Sequence, residues 1–314
     1  MNPPKRILVI KLSALGDVIQ ALGPMAAIRR HHADAHITAL TTKPYEPILK
    51  ASPYFDEVWI DERPSLLNVA GWLALRRRLR RGRFDRVYDL QTSDRSGFYF
   101  RLLGPGTRPQ WSGIAPGCSH PHANPRRDAM HIVDSQAEQL RMAGIADVPP
   151  ADVSWLTADV ARYHLPAPYV LMVLGGSPHR PQKVWPAERF AILARKLVKK
   201  GFTPVLIGTA PERRLADQVR ALCTEAHSLI AKTSFSDLAA LARGAAAAIG
   251  GVTGPMHLIA AAGAPCLVLF SAVSDPNQCG PRGRKVAYLR KDDLADLPVD
   301  EVSAALDRLL EQPA

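Results

Sequence analysis

The chain has 314 residues and a formal net charge of +11. This length is long for a single hydrophobic core and favours two domains of about 150 residues each. The composition is that of a globular protein and shows no low-complexity tract or internal repeat, which excludes fibrous and repeat architectures. The four cysteines form no C-x-x-C pair, so the sequence predicts neither a zinc site nor a disulfide framework and favours a reducing compartment.

Basic residues are concentrated in the first half of the chain. Residues 1–150 contain 21 Lys and Arg against 14 Asp and Glu, while residues 151–314 contain 19 against 15. The densest run, R-R-R-L-R-R-G-R at 76–83, fits a solvated helix face and equally a surface for nucleic acid, anionic lipid or a phosphorylated substrate. No nucleic-acid-binding motif accompanies it, so nucleic acid is not expected as a partner.

Two apolar stretches bear on membrane insertion. The run after Lys5 and Arg6 lasts only four residues before Lys11 interrupts it, which is too short for a signal peptide. Residues 244–274 contain no Asp, Glu, Lys or Arg, a length that could span a bilayer. Glycine and proline interrupt this stretch at three places, so we interpret it as a buried β-α-β unit of a parallel sheet.

The first half alternates apolar runs of strand length with amphipathic segments. Strands are predicted at 7–10, 36–40, 57–60 and 86–90, helices at 18–31, 45–51, 67–81 and 132–144, and a loop rich in Pro, Gly and His at 104–127. Such alternation is typical of a parallel sheet covered by helices. The loop after the first strand lies at the carboxyl edge of that sheet, where open α/β folds bind ligands. It lacks the glycine patterns of dinucleotide and P-loop sites and carries Lys11, Ser13 and Asp17.

A proline-containing linker at 149–168 precedes a second alternating series. Strands are predicted at 169–174, 204–207, 246–249 and 266–270, and helices at 186–200, 211–222, 235–243 and 299–310, with a further helix around His257. We therefore expect an α/β protein of two Rossmann-like domains, 1–160 and 161–314, whose parallel sheets face a cleft between them. The final helix, 299–310, is a candidate for packing back towards the first domain.

Three strand ends in the second half lead into helices through small residues, at 175–177, 208–209 and 251–254. Backbone N–H groups at such junctions can approach an anion, which favours a nucleotide or another phosphorylated ligand, although ordinary turns and helix caps use the same residues. Lys183 is a candidate for a diphosphate, Glu212 for ribose hydroxyls and His257 for the ligand. A surface lysine, a dipole contact and a core histidine are the alternatives. Asp17 is similarly either a helix cap or a catalytic base.

Four motifs in order resemble the ADP-heptose:lipopolysaccharide heptosyltransferases, which are family 9 glycosyltransferases of the GT-B fold. They are K-L-S-A-L-G-D-V at 11–18, Y-D-L-Q-T-S-D-R-S at 88–96, K-V-W-P-A-E-R-F at 183–190 and V-T-G-P-M-H-L-I-A-A-A-G-A-P at 252–265. The resemblance implies an inverting, metal-independent transfer of heptose from ADP-heptose, with no cofactor. The implied acceptor is the anionic inner core of lipopolysaccharide, which implies a cytoplasmic enzyme in peripheral contact with the inner membrane.

The resemblance also implies roles for individual residues. Asp17 matches the family's general base, and Lys11 and Arg95 are candidates for binding the acceptor. The implied donor-binding residues are Ser13, Gly16, Ser177, Lys183, Glu212, Thr253, Gly254, Met256 and His257. No metal ligand is implied, and the chain contains no D-x-D triplet, the usual metal-nucleotide anchor of the other main glycosyltransferase fold.

Val252 departs from the family pattern, because family members commonly have an aspartate immediately before the T-G pair. A carboxylate thought to support the donor pocket is therefore missing, which leaves the donor sugar and nucleotide open. The alternatives are a transferase of another nucleotide sugar to a capsule or exopolysaccharide intermediate, and a non-catalytic sugar-nucleotide-binding relative.

Overall fold

The computed structural model describes residues 4–104, 106, 108–176 and 181–311. Contacts between residues divide the chain into two compact units, Met1–Ala151 and Asp152–Ala314. The division falls inside the proline-containing segment 149–168. Each unit has its own parallel sheet and its own core.

The first unit contains a six-stranded parallel sheet of order β3-β2-β1-β4-β5-β6. Its strands are β1 Arg6–Ile10, β2 His36–Thr41, β3 Glu57–Ile60, β4 Arg86–Asp89, β5 Gln110–Gly113 and β6 His120–Pro121. Its helices are α1 Leu15–Gln20, α2 Leu22–His31, α3 Glu46–Ala51, α4 Val69–Arg81, α5 Asp94–Leu103 and α6 Ile132–Met142. Buried residues of β1, α4 and α5, among them Leu8, Leu79 and Phe100, share one hydrophobic cluster.

The second unit repeats this architecture with the sheet order β12-β11-β10-β7-β8-β9. Its strands are β7 Tyr169–Val173, β8 Thr203–Ile207, β9 His227–Ser228, β10 Ala247–Gly251, β11 Cys266–Phe270 and β12 Val286–Arg290. Its helices are α7 Ala187–Lys199, α8 Arg213–Leu222, α9 Phe235–Gly244, α10 Gly254–Ala261, α11 Pro276–Cys279 and α12 Val299–Glu311. The uncharged stretch 244–274 forms β10, α10 and β11, and α12 buries Val302, Leu306 and Leu309 in the core of this unit.

Three predictions for the first unit need correction. The helix predicted at 18–31 is two helices that break at Ala21, three residues before Pro24, whose ring nitrogen cannot donate a hydrogen bond to the preceding turn. The loop predicted over 104–127 contains β5, whose sequence Q-W-S-G has a single large apolar residue, and β6, which has two residues. Helix α5 was not predicted, although Ser93 caps it by accepting a hydrogen bond from the Ser96 N–H.

Both sheets have the strand order of a Rossmann fold, which confirms the predicted fold class. In this order successive strands are added on one side of β1 and then on the other side from β4 onwards, so the strand order reverses between β1 and β4 in the first unit and between β7 and β10 in the second. Ligands of open α/β sheets bind outside the carboxyl ends of the strands at such a switch point. In the described part of the chain, every helix is too short or too polar to cross a membrane.

Candidate active site

The switch point of the first unit brings two of the sequence motifs together. The loop after β1 carries Lys11, Ser13, Gly16 and Asp17, and the loop after the neighbouring strand β4 carries Gln91 and leads to Arg95. The side-chain Oε1 of Gln91 accepts hydrogen bonds from the backbone N–H groups of Leu12 at 2.8 Å and Ser13 at 3.1 Å. The loops after β1 and β4 are therefore joined by hydrogen bonds.

Asp17 lies in the first turn of α1 and is half-buried. Its Oδ2 accepts a hydrogen bond from the backbone N–H of Ala14 at 3.0 Å. This contact fixes the carboxylate in the helix N-terminal turn, the position that the helix dipole favours for a negative charge. One oxygen of the Asp17 carboxylate is thus used in the cap. A carboxylate has two acceptor oxygens, so the second oxygen can make a further contact.

Lys11 is buried, with 2% of its surface exposed, and its Nζ donates a hydrogen bond to the Leu90 carbonyl at 3.3 Å. Burial lowers the pKa of the Lys11 ammonium, and the Asp17 and Asp89 carboxylates oppose that shift. Burial likewise raises the pKa of Asp89 to about 6. Lys11 therefore ties the end of β1 to the end of β4, and its role in acceptor binding stays a prediction.

Arg95 lies in the first turn of α5 and is held by neighbours on three sides. Its Nε donates to the Tyr99 hydroxyl at 2.8 Å, and its guanidinium lies 3.8 Å from the Asp61 carboxylate and 5.0 Å from the centre of the Trp72 ring. These contacts leave 23% of the side chain exposed. Arg95 is thus a preorganised cation beside the β4 loop, and its role in acceptor binding stays a prediction.

The switch point of the second unit brings the loops after β7 and β10 into contact. A methyl group added at Gly251 would lie 3.1 Å from the Lys183 carbonyl, so only a glycine fits this approach without displacement. The Lys183 ammonium in turn donates a hydrogen bond to the Ser274 hydroxyl in the loop after β11. Lys183 therefore lies where three strand ends meet.

Glu212 lies between the loops after β7 and β8. Its Oε2 accepts hydrogen bonds from the Thr209 N–H and hydroxyl, both at 2.7 Å, which forms a capping box. A methyl group at Gly175 would lie 3.6 Å from the Glu212 carboxyl carbon. The structure thus places Glu212 beside the glycine turn that follows β7, at the same sheet edge as Lys183.

The N-terminus of α10 carries four of the predicted donor residues. Thr253 is its N-cap residue, and within the described residues its buried hydroxyl has no hydrogen-bond partner. Gly254 begins the helix, Met256 is fully buried, and His257 is 7% exposed with its backbone N–H on the Thr253 carbonyl. An unused hydroxyl at a helix N-terminus is a ready contact for an anionic ligand.

The predicted donor residues that the structure describes fall into two groups. Lys183, Glu212 and the 253–257 segment lie at one sheet edge of the second unit, whereas Ser13 and Gly16 belong to the first unit beside Asp17. Ser177 lies outside the described residues. Sequence reasoning did not single out Gln91, Asp89 or Ser274, although Gln91 stands inside a quoted motif and Ser274 follows a strand end.

Comparison with known proteins decides the family. The family model described as glycosyltransferase family 9 (heptosyltransferase) matches residues 72–304. The chain belongs to this family. It is therefore a glycosyltransferase, and the predicted resemblance is confirmed over most of its length.

Curated relatives of this glycosyltransferase are lipopolysaccharide heptosyltransferases. The chain is 25% identical over 302 residues to lipopolysaccharide heptosyltransferase 1 of Pseudomonas aeruginosa, a match that covers 91% of this chain and 84% of that protein. It is 23% identical over 314 residues to lipopolysaccharide heptosyltransferase 2 of Escherichia coli, covering 91% and 88%.

Solved structures of the family share the fold of this glycosyltransferase. A family 9 glycosyltransferase from Veillonella parvula superposes with a TM-score of 0.84 at 21% identity, covering 98% of this chain and 97% of that one. ADP-heptose lipopolysaccharide heptosyltransferase II of E. coli gives 0.80 at 21% identity, covering 97% and 98%. The E. coli heptosyltransferase WaaC with ADP gives 0.74 at 20% identity, covering 97% and 99%. The pair of Rossmann-like units thus belongs to the GT-B fold.

Proposed function

We propose that this enzyme transfers heptose from ADP-heptose to the inner core of lipopolysaccharide or a related anionic glycolipid, with inversion at the anomeric carbon. The observation that carries the proposal is the Asp17 carboxylate, held in the first helical turn after β1 at a ligand-binding switch point. Family membership supplies the reaction class, and the names of the relatives in P. aeruginosa and E. coli support the sugar and the acceptor.

In the proposed mechanism, the Asp17 carboxylate takes the proton of an acceptor hydroxyl as its oxygen attacks the anomeric carbon of the donor. The new glycosidic bond forms on the face opposite the leaving group. The bond between the anomeric carbon and the β-phosphate oxygen breaks, and its electron pair leaves with ADP. The hydrogen bond from the Ala14 N–H fixes the direction from which Asp17 accepts the proton.

The second unit is proposed to hold the donor. The N-terminus of α10, with Thr253 and Gly254, offers N–H groups and an unused hydroxyl to the diphosphate. Lys183 offsets the negative charge that develops on the leaving ADP, and Glu212 accepts hydrogen bonds from the ribose hydroxyls. His257 and Ser177 are proposed to complete this pocket. Met256 supports this pocket as a buried residue of α10, and Ser13 and Gly16 shape the loop beside Asp17.

We further propose that transfer needs no metal ion and no cofactor. The support is the Lys183 ammonium at the meeting point of three strand ends, a fixed positive charge where a metal ion would otherwise balance the diphosphate. Undiminished turnover in excess EDTA is the expected result. The proposed place of action is the cytoplasmic face of the inner membrane, where Arg95 and Lys11 are candidates for acceptor binding.

Val252 favours a second candidate, the transfer of another nucleotide sugar to a capsule or exopolysaccharide intermediate. The test is a titration of ADP-heptose and a panel of other nucleotide sugars against the native enzyme and Val252→Asp, with ADP release as a second readout. Tighter binding of ADP-heptose than of the other donors supports the heptosyl proposal. Equal binding of all donors to both forms would overturn it, and donor binding without release in the presence of core acceptor would indicate a non-catalytic relative.

A further inference from the structure

The first unit carries an exposed apolar segment directly before an arginine-rich helix. Leu66 and Leu67, in the loop that leads into α4, are 90% and 92% exposed, and Val69 and Leu73 in the first turns of α4 are 65% and 52% exposed. Large apolar side chains exposed singly are common, but four within eight residues form a patch. Such a patch indicates an interaction surface.

Helix α4 uses only one side for its own packing. Leu75 and Leu79 are buried against the core of the first unit at 8% and 2% exposure. Val69, Leu73, Arg77 and Arg80 are spaced four, four and three residues apart, which puts them on one outward face of the helix. The outward face is therefore apolar in its first turns and cationic in its last turns. We call this face, with Leu66, Leu67 and Arg81, the α4 surface.

The arginines of the α4 surface form no ion pair with the residues that the structure describes. Within the described residues, Arg76 and Arg78 donate to the backbone carbonyls of Leu102 and Ile60, and none of the arginines at 76–83 forms an ion pair. Leu73 lines a groove of about 430 Å³ together with the arginines at 76, 77, 80, 81 and 83. Glu57 is the carboxylate that lines the adjoining groove. The groove is thus lined by five arginines and has an apolar residue, Leu73, at its border.

We propose that the α4 surface docks on an anionic lipid bilayer. Leucine side chains that are exposed to water gain free energy by entering the interface of a bilayer, and arginines gain by contact with anionic headgroups. The phosphates of a nucleic acid would make favourable contacts with the arginines but not with the two leucines that are at least 90% exposed. The combination of charge and exposed apolar side chains therefore selects the membrane.

The sheet topology places the apolar end of this surface on the proposed acceptor side, while the arginines in the last turns of α4 lie towards the opposite edge, where β4 begins. Residues 61–68 follow the carboxyl end of β3, at the same sheet edge as the loop that carries Asp17. Trp72 of α4 contacts Phe98 of α5 and lies under Arg95. A bilayer on the α4 surface would hold a glycolipid head near this edge. This last point alone rests on the proposed function, while the docking itself does not.

The test is cosedimentation of the full chain with vesicles of phosphatidylcholine alone or mixed with phosphatidylglycerol, at low and physiological salt. Two variants remove the surface: Leu66→Ser with Leu67→Ser, and Arg77→Gln with Arg80→Gln and Arg81→Gln. A control variant, Lys199→Gln with Arg220→Gln and Lys232→Gln, removes the same charge from exposed positions of the second unit. The circular dichroism spectrum and the melting temperature of each variant without vesicles serve as the measure of folding.

We expect the native chain to bind the anionic vesicles, with weaker binding at higher salt. Each surface variant is expected to bind at least about tenfold more weakly, while the control binds as the native chain does. No preference of the native chain for anionic vesicles would overturn the proposal. Binding by both surface variants that is as strong as that of the native chain would also overturn it. So would a loss of binding in the control variant as large as the loss in the surface variants. Because the vesicle assay contains no donor, its failure leaves the proposed transfer reaction untouched.

Discussion

Gln91 holds Leu12 at the end of β1: the Gln91 Oε1 accepts the Leu12 N–H at 2.8 Å and also the N–H of Ser13. The backbone N–H of Gln91 in turn donates to Oδ1 of the buried Asp89 at 3.1 Å. A chain of hydrogen bonds therefore runs from the core of the first unit to the loop that carries Asp17. The position of Asp17, the proposed base, therefore depends on the side chains of Asp89 and Gln91, which belong to the motif at 88–96.

Replacing Gln91 tests this positioning. In Gln91→Ala, two partly buried N–H groups lose their acceptor, so the loop is less well fixed. We expect kcat to fall about tenfold with little change in the donor KM, because the residues proposed to contact the diphosphate and ribose lie in the second unit. Gln91→Glu, which keeps an acceptor oxygen, should recover most of the activity. An unchanged kcat, or an equal loss in the exposed control Gln218→Ala, would contradict the account.

Asp89 predicts a pH dependence of stability. Its pKa in the folded protein is about 6, above its usual 3.8, so between these values the folded chain binds the extra proton. Its contribution to folding is therefore present at low pH and is lost as the pH rises through 6. Asp89→Asn keeps an acceptor for the Gln91 and Thr92 N–H groups and does not titrate.

Denaturant unfolding of both proteins at about pH 4.5 and pH 7.5 measures this effect. The free energy of unfolding of Asp89→Asn relative to the native protein should rise by on the order of 2 kcal/mol between the two pH values. Comparing the two proteins removes the contribution of the other carboxylates. A difference that does not vary with pH would show that Asp89 does not titrate as described.

Replacing Thr253 is expected to lower the affinity for ADP without lowering the stability of the protein. Its buried hydroxyl has no hydrogen-bond partner among the described residues, so Thr253→Val removes no contact of the folded chain. The melting temperature is expected to stay unchanged or to rise, while affinity for ADP falls about tenfold. Calorimetric titration with ADP measures the affinity. Unchanged affinity for ADP would remove Thr253 from the donor site.

Lys183 is expected to contribute more, because a charge-assisted contact with phosphate is stronger than a neutral one. In Lys183→Gln we expect affinity for ADP to fall about 10-fold to 100-fold, with a smaller loss at high salt. Lys199→Gln, an exposed lysine of α7, is the matched control. Equal affinities in the two variants would show that the Lys183 ammonium does not contact the diphosphate.

The order of strands and helices could be predicted where apolar runs are long and bounded by small residues, as for β1, β7 and α7. Strands β5 and β6 could not, because Q-W-S-G of β5 contains a single large apolar residue and β6 has two residues, and their pairing with β4 and with each other is tertiary. Asp17 and Lys183 could be named as candidates because each stands in a motif that follows a strand. The Gln91 contact with Leu12 depends on β1 and β4 being neighbours. The Glu212 cap has a sequence signal, T-x-x-E at 209–212, that we did not use.

The proposed transfer mechanism depends most directly on Asp17 acting as the general base. Asp17→Asn keeps the size of the side chain and an oxygen that can accept from Ala14 N–H, but the amide cannot take a proton. The decisive measurement is ADP release from ADP-heptose with core acceptor, with Glu301→Gln in the first turn of α12 as a control. We predict a fall in kcat of about 10²-fold to 10⁴-fold, with ADP affinity retained. Turnover by Asp17→Asn within about twofold of the native enzyme would contradict the mechanism.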